Sequence, residues 1–137
     1  IKQINPNAEV YQKACTLFVP LIEEGYINHP ALELIAQEYL QELLKNDIDT
    51  LVLGCTHYPI IKATLTKIIG NTKTIVDPAT TTAMGLIKIL RQMNTLNSHK
   101  LKPEYNFYVT ELSPNFNRIG EIFLNAKLNH PVLVNLD

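Results

Sequence analysis

Helix-like and strand-like patterns of apolar residues alternate along this chain. The clearest helix begins at Pro30, which suits a first helical position, with Asn28 or His29 as the capping residue. It ends near Asn46-Asp47. Its apolar stripe recurs at helical spacing and consists of Leu32, Ile35, Ala36, Tyr39, Leu40, Leu43 and Leu44. This spacing predicts one face packed on a core.

Other helices are predicted on both sides of this one. Residues 16–25 predict an irregular or short helical connection that closes at a glycine. A helix begins at Pro59 and ends at Gly70, and its inward residues are Ile60, Ile61, Leu65, Ile68 and Ile69. The next helix contains Ala83, Leu86, Ile87 and Leu90, with a cap from the threonines at 80–82. The last begins at Ser113-Pro114, and its inward residues are Phe116, Ile119, Phe123 and Leu124.

Strand-like segments separate these helices. They are residues 9–15, 50–53, 74–76, 105–110 and 132–134. The short apolar runs at 50–53 and 74–76 are typical of strands buried on both faces of a parallel sheet. Residues 94–103 are polar and predict a surface loop. The alternation therefore predicts an α/β fold with mostly parallel sheets flanked by helices.

Composition excludes several classes of protein. The chain has 137 residues, with 46% hydrophobic and 18% charged residues, which is unlike a disordered chain. A net charge of −1 provides no basic field for nucleic acid. No apolar run approaches the roughly 18 residues of a membrane span. Two cysteines are too few for a disulfide scaffold, so we expect a reducing, cytoplasmic setting.

The residues with the clearest chemistry lie at 51–59, Leu-Val-Leu-Gly-Cys-Thr-His-Tyr-Pro. In open α/β sheets the reactive crevice lies beyond the carboxyl ends of the strands, which is where Cys55 falls. The helix that begins at Pro59 would stabilise a thiolate or a substrate carboxylate through its N-terminus. His57 can hold charge or transfer a proton. Gly54 would allow a tight turn and the close approach of a ligand.

The residues alone leave other interpretations open. A cysteine that follows a strand is often a buried core residue. Cys55 and His57 could supply two zinc ligands, but a zinc site needs three or four. The other histidines, His29, His99 and His130, lie in loop-like segments without partner spacing. We therefore expect no metal site.

Two longer motifs resemble the glutamate racemases of the aspartate/glutamate racemase superfamily. Residues 54–59, Gly-Cys-Thr-His-Tyr-Pro, resemble the family's second catalytic-cysteine motif. Residues 14–25 are similar to its Ala-Cys-Pro-x-Phe-Val-Pro-Leu-Val-Glu segment, with Thr16 in place of the usual proline. Residues 76–78 and 107–110 are similar to later family segments. His57 stands where aspartate racemases usually have an acidic residue, which favours glutamate.

The resemblance covers only the second half of a family member, so we expect a fragment of a longer protein. The family has two α/β lobes that face each other across a cleft. By this resemblance residues 1–77 would belong to the second lobe, and residues 78–137 would return to the first. The other half would carry an Asp-Ser motif, a Pro-Tyr-Gly motif and a catalytic cysteine followed by Asn-Thr. Nothing in this chain matches those motifs.

The resemblance also implies a reaction. It is the cofactor-independent interconversion of L- and D-glutamate by two cysteines on opposite faces of the α-carbon, which supplies D-glutamate for peptidoglycan. Cys55 would be one of these cysteines, and His57 would assist it while Glu23 orients or charges His57. Thr56 would bind the substrate beside Cys55 and His57. Cys15 matches a non-catalytic family segment, so we expect a buried structural thiol there.

Two other functions stay open at this point. One is a related racemase or isomerase of another small carboxylate, such as aspartate, and the other is a carboxylate-binding domain without catalysis. We expect a small-molecule substrate as the partner, with neither nucleic acid nor membrane, while a homo-oligomer stays open. Tyr39 and Tyr58 are expected to be packing residues.

Overall fold

The computed structural model describes residues 1–97, 103–113 and 115–136. The chain divides into two compact units, Ile1–Pro78 and Ala79–Asp137. The predictions made at His99 and at Pro114 lie outside the described residues, as does part of the loop predicted at 94–103.

The first unit begins with two helices. Helix α1 spans Phe18–Glu23, and a 3-10 turn at Tyr26–Asn28 leads to helix α2, which spans Pro30–Leu44. Pro30 is the first residue of α2, and Nδ1 of His29 accepts a hydrogen bond from the Ala31 N–H at 3.1 Å. The predicted start of this helix and its cap at His29 are therefore confirmed.

A βαβ unit follows α2. Strand β1 spans Thr50–Val52 and strand β2 spans Thr74–Val76; the two are parallel, with Leu51 opposite Ile75. A 3-10 turn at Tyr58–Ile61 and helix α3 at Lys62–Ile69 connect them. Gly70 ends α3 with φ +80, a positive φ that glycine adopts without steric cost. Both strands and the stop of this helix agree with the sequence patterns.

The core of the first unit lies among its helices and one face of this sheet. Its buried residues are Phe18, Ile22, Leu32, Ala36, Leu40, Leu51, Leu53, Ile61, Leu65 and Ile69. Side chains alternate along a strand, so Leu51 points into this core while Val52 on the opposite face is 50% exposed. No residue of β2 is fully buried. The expectation that these two strands are buried on both faces is therefore wrong for this structure.

The strand predicted at 9–15 is also wrong. These residues form no regular secondary structure, and Val10 and Tyr11 are exposed. A strand requires a hydrogen-bonded neighbour, and β1 and β2 pair with each other. The segment instead leads irregularly to α1 and places Cys15 at the margin of the core.

The second unit contains two helices and a second parallel pair of strands. Helix α4 spans Pro78–Gln92, and helix α5 spans Phe116–Leu124. Strand β3 at Tyr108–Val109 pairs in parallel with strand β4 at Val132–Leu133. Helix α4 begins at Pro78, before the threonines that were expected to cap it, because proline fits the first turn of a helix.

Packing in the second unit is looser than in the first. No residue of α4 or α5 is fully buried, and Met84 and Ile89 remain more than half exposed. Helix α5 contacts the chain that follows it at Gly120, where an added Cβ would meet Cδ1 of Leu128. Alanine at this position would therefore require the end of the Leu128 side chain to shift.

Candidate functional site

The predicted site lies on the turn that follows β1. The Leu53 N–H donates to the carbonyl of Val76 at 3.1 Å and so extends the pairing one residue beyond the strand. The Tyr58 N–H then donates to the carbonyl of Cys55 at 3.2 Å, which closes the turn. Cys55 and His57 consequently lie at the carboxyl edge of the parallel strands, where the sequence places them.

His57 connects the other site residues. Its Nε2 lies 3.1 Å from Oε1 of Glu23, and its Nδ1 lies 4.0 Å from Sγ of Cys55. The Thr56 hydroxyl lies 3.4 Å from the same Nδ1. A carboxylate only accepts hydrogen bonds, so the contact with Glu23 favours the hydrogen on Nε2. Nδ1 of a neutral imidazole then faces the thiol as an acceptor.

Helix α1 brings Glu23 to this position. Phe18 and Ile22 anchor the helix in the core, with 2% and 1% exposure. Glu23 is the last residue of α1 and lies at the edge of that buried face, where its side chain is 47% exposed. Gly25, at φ 81, then turns the chain toward α2. The packing of α1 therefore fixes the acid that contacts His57.

Cys15 differs from Cys55 in its surroundings. It packs against the core, and its Sγ donates to the carbonyl of Lys13 at 3.6 Å. Burial raises the pKa of the Cys15 thiol, and the positive charge of Lys13 opposes that effect. Cys15 is partly rather than fully buried, and its structural role stays a prediction.

Both tyrosines pack on the same aromatic ring. The rings of Tyr58 and Tyr39 each lie 5.3 Å from that of Phe18 in edge-to-face geometry. The Tyr58 hydroxyl also donates to the carbonyl of Cys15 at 3.3 Å. Burial raises the pKa of Tyr58, and the two nearby cysteines add to it. Sequence reasoning missed this hydrogen bond, because its acceptor is a backbone carbonyl 43 residues away.

Gly54 does not have the tight-turn role that was expected of it. Its φ lies outside the left-handed region, and a Cβ added there would have no neighbour within 4 Å. The conformation of the backbone therefore does not require glycine at this position. The close approach of a ligand over Gly54 stays a prediction.

A second carboxylate lies at the same edge of the sheet. Asp77 directly follows β2, its side chain is 14% exposed, and its Oδ2 lies 3.7 Å from Nζ of Lys62. The sequence indicated Asp77 only as a charged residue directly after an apolar run, within a family-like segment. The ion pair ties the end of β2 to the start of α3.

The described residues contain neither a cluster suited to a metal ion nor a helix suited to span a membrane. Within residues 1–97, 103–113 and 115–136, no three or more His, Cys, Asp or Glu side chains are arranged to hold a metal ion. No helix in this part of the chain has both the length and the apolar composition of a membrane span.

The known proteins that are similar to this chain, by sequence and by structure, include glutamate racemases. The chain is 44% identical over 128 residues to the glutamate racemase of Syntrophus aciditrophicus, which covers 93% of this chain and 47% of that protein. The crystal structure of Francisella tularensis glutamate racemase in complex with D-glutamate is 42% identical, with a TM-score of 0.88 over 100% of this chain and 51% of that one. A glutamate racemase from Bacillus anthracis is 29% identical, with a TM-score of 0.82 over 99% of this chain and 50% of that one.

Two further facts define this relationship. No protein-family profile matches the chain. The chain spans about half the length of the curated relatives it matches. Its α/β architecture is that of the solved racemases. By sequence and by fold, the chain is similar to about half of a glutamate racemase, and the C-terminal half is the one that fits.

Proposed function

We propose that the protein containing this chain interconverts L- and D-glutamate, with Cys55 as one of two proton-transfer groups. The observation that carries the proposal is the position of His57, which contacts Glu23 through Nε2 and faces Sγ of Cys55 through Nδ1. A thiol beside an imidazole held by a carboxylate is suited to repeated proton transfer. The homologous racemases support the same reaction.

The proposed reaction needs two groups on opposite faces of the α-carbon. In one direction the Cys55 thiolate removes the α-proton and becomes a thiol, while a second thiol donates its proton to the other face. In the reverse direction Cys55 donates and the second group accepts. The resemblance to the family assigns that second group to a cysteine outside this chain. No bond other than these C–H and S–H bonds is broken or formed, so the reaction as proposed uses no cofactor.

Within this scheme the turn residues have separate roles. His57 would stabilise the Cys55 thiolate as an imidazolium, and Glu23 would hold its ring in place. Thr56, with its hydroxyl exposed next to His57, would bind the substrate through that hydroxyl and its backbone N–H. Glutamate is the preferred substrate because a homologous racemase binds D-glutamate in its crystal structure. Aspartate or another small carboxylate is the alternative substrate.

The cellular role is part of the same proposal. The product D-glutamate would be used for peptidoglycan, and so for building the cell wall and maintaining cell shape. A cytoplasmic location fits the two free thiols, since the reaction needs Cys55 reduced. We further propose that residues 1–77 belong to the second lobe of the longer protein and that residues 78–137 return to the first.

The test is made on the longer protein. Circular dichroism would follow racemisation of each glutamate enantiomer, and NMR in D₂O would follow exchange of the α-proton. Cys55→Ala should abolish racemisation, whereas the matched control Cys15→Ala should retain most of it. Turnover of aspartate in place of glutamate would support the related racemase. Binding of glutamate without exchange in the unmodified protein would indicate a carboxylate-binding domain and overturn the proposal.

A further inference from the structure

Tyr58 joins two segments that are distant in sequence. Through its backbone N–H it closes the turn that carries Cys55, with 3.2 Å to the Cys55 carbonyl. Through its hydroxyl it donates to the carbonyl of Cys15 at 3.3 Å. Its ring meets the edge of Phe18 at 5.3 Å and 88°. The side chain of Tyr58 thus contacts the segment that precedes helix α1, and the backbone of the same residue closes the turn that carries Cys55.

The Cys15 carbonyl is a significant acceptor because it also receives the Phe18 N–H at 3.2 Å, at the first residue of α1. Tyr58 therefore attaches to the beginning of the helix whose last residue is Glu23. A helix of six residues is about 9 Å long and rigid over that length. If the first residue of α1 is held in place relative to the turn, the position of Glu23 relative to His57 is held as well.

From this geometry we infer that Tyr58 is a positioning residue, which ties the Cys55–His57 turn to the start of α1 and so sets Glu23 on the imidazole of His57. It acts through other groups and donates no proton to a substrate. Burial keeps the hydroxyl in its neutral, donating form by raising the pKa of Tyr58. The inference rests on the proposed function in one respect only, which is the role of the Cys55–His57 turn in proton transfer.

Tyr39 supplies a matched control. Its ring packs on the same Phe18 at 5.3 Å, and its hydroxyl accepts from the Leu17 N–H at 3.4 Å, in the same segment. Tyr39 belongs to α2, however, and not to the turn of Cys55 and His57. Tyr58→Phe removes the hydroxyl contact with the Cys15 carbonyl, and Tyr39→Phe removes the hydroxyl contacts with the Leu17 N–H and the Thr16 hydroxyl; both variants keep the packed ring. The Cys15 carbonyl keeps its bond from Phe18 in the Tyr58 variant, so no buried acceptor is orphaned.

The experiment measures the tautomer of His57 in the 137-residue chain labelled with ¹⁵N-histidine. Long-range ¹H–¹⁵N spectra distinguish a hydrogen on Nε2 from one on Nδ1, and the signals of His57 are assigned by their loss in His57→Gln. The unmodified chain should show mainly the Nε2–H form. Tyr58→Phe should lower the ratio of Nε2–H to Nδ1–H about fivefold, the factor that corresponds to one ordinary hydrogen bond. Glu23→Gln should lower it as well, and Tyr39→Phe should leave it unchanged.

Each other outcome has a definite meaning. Equal changes in Tyr58→Phe and Tyr39→Phe would overturn the positioning role, because a general loosening of the aromatic cluster would explain both. No change in Tyr58→Phe, or a dominant Nδ1–H form in the unmodified chain, would also overturn it. Thermal unfolding of both variants checks that they remain folded. This measurement does not involve racemase activity. A longer protein without racemase activity would therefore not change the tautomer result, and a negative tautomer result would not exclude racemase activity.

Discussion

Nε2 of His57 lies 3.1 Å from Oε1 of Glu23, although 34 residues separate them in the sequence. Their side chains are 25% and 47% exposed, so the pair lies at the surface of the first unit rather than in its core. A contact between side chains this exposed adds little to stability. The contact instead orients the imidazole ring, because with Nε2 on Glu23 the other nitrogen, Nδ1, faces Cys55.

His57→Ala in the longer protein should affect kcat unequally in the two directions of racemisation. His57 assists Cys55, and Cys55 is the base in one direction only. We expect kcat to fall by about 10² or more in that direction and much less in the other. The equilibrium constant of a racemisation is one, so kcat/KM must fall by the same factor in both directions. Equal losses of kcat, measured by circular dichroism from each enantiomer, would reject the assignment.

Gly54→Ala should leave the chain stable but impair the longer enzyme. A methyl group at this position meets no atom within 4 Å, so the free energy of unfolding should stay equal or rise by about 0.5 kcal/mol. The KM for glutamate should increase if the substrate approaches over Gly54. Gly70→Ala is the control, because its φ of +80 makes alanine strained and should lower stability by about 1 kcal/mol. An unchanged KM for Gly54→Ala would show that the space serves no ligand.

Iodoacetamide should label Cys55 several-fold faster than Cys15 in the folded chain. Only the thiolate reacts, and burial raises the pKa of the Cys15 thiol while its Sγ donates to the carbonyl of Lys13. Peptide mass mapping after timed quenching measures both rates. As a control, the two labelling rates should converge in urea, because unfolding removes the difference in surroundings between the two thiols. Faster labelling of Cys15 would contradict the choice of Cys55 as the reactive thiol.

The 137-residue chain by itself should not racemise glutamate at a measurable rate. Inversion needs a proton acceptor and a donor on opposite faces of the α-carbon, and only Cys55 is assigned to one of them here. Removing one member of a catalytic unit commonly removes nearly all activity. The same circular-dichroism assay applies, with the longer protein as the positive control. Turnover by the chain alone would show that a second proton-transfer group lies within residues 1–137.

The free energy of unfolding should decrease as the pH rises above about 9. The pKa of the Cys15 thiol is raised above its ordinary value of 9.0, so the folded state holds the proton more tightly than the unfolded state. That contribution is complete below the unfolded pKa and is lost as pH rises through the folded pKa. Urea titrations from pH 8 to 10 should show a shallower decline for Cys15→Ala. Parallel declines in the two proteins would indicate that another group is responsible.

Local signals predicted much of the fold correctly. Pro30, His29 and Gly70 act through their own backbone or side-chain chemistry, so the start and the stop of the helices they delimit could be deduced from the sequence. The parallel pairing of β1 and β2 followed from the apolar runs on either side of a helix. The meeting of Glu23, Cys55 and His57 was expected only from a family resemblance, because nothing local links residue 23 to residue 57.

The errors arose where structure depends on neighbours. Residues 9–15 have a strand-like composition but no strand beside them, and composition does not specify a partner. Val52 belongs to an apolar run, yet the helices of the first unit cover only the face of Leu51. The Tyr58 hydrogen bond to the Cys15 carbonyl could not be found from side-chain patterns, since its acceptor belongs to the backbone.

The uneven burial of the two units has a consequence for the way the chain opens. All of the buried hydrophobic side chains in the described residues belong to the first unit, the last of them being Ile69. Amide protons of α2 and α3 should therefore exchange with solvent only through large openings, whereas those of α4 and α5 should exchange through frequent, local fraying. Proteases would then meet the second unit first, and a stable product of limited digestion would end near Pro78.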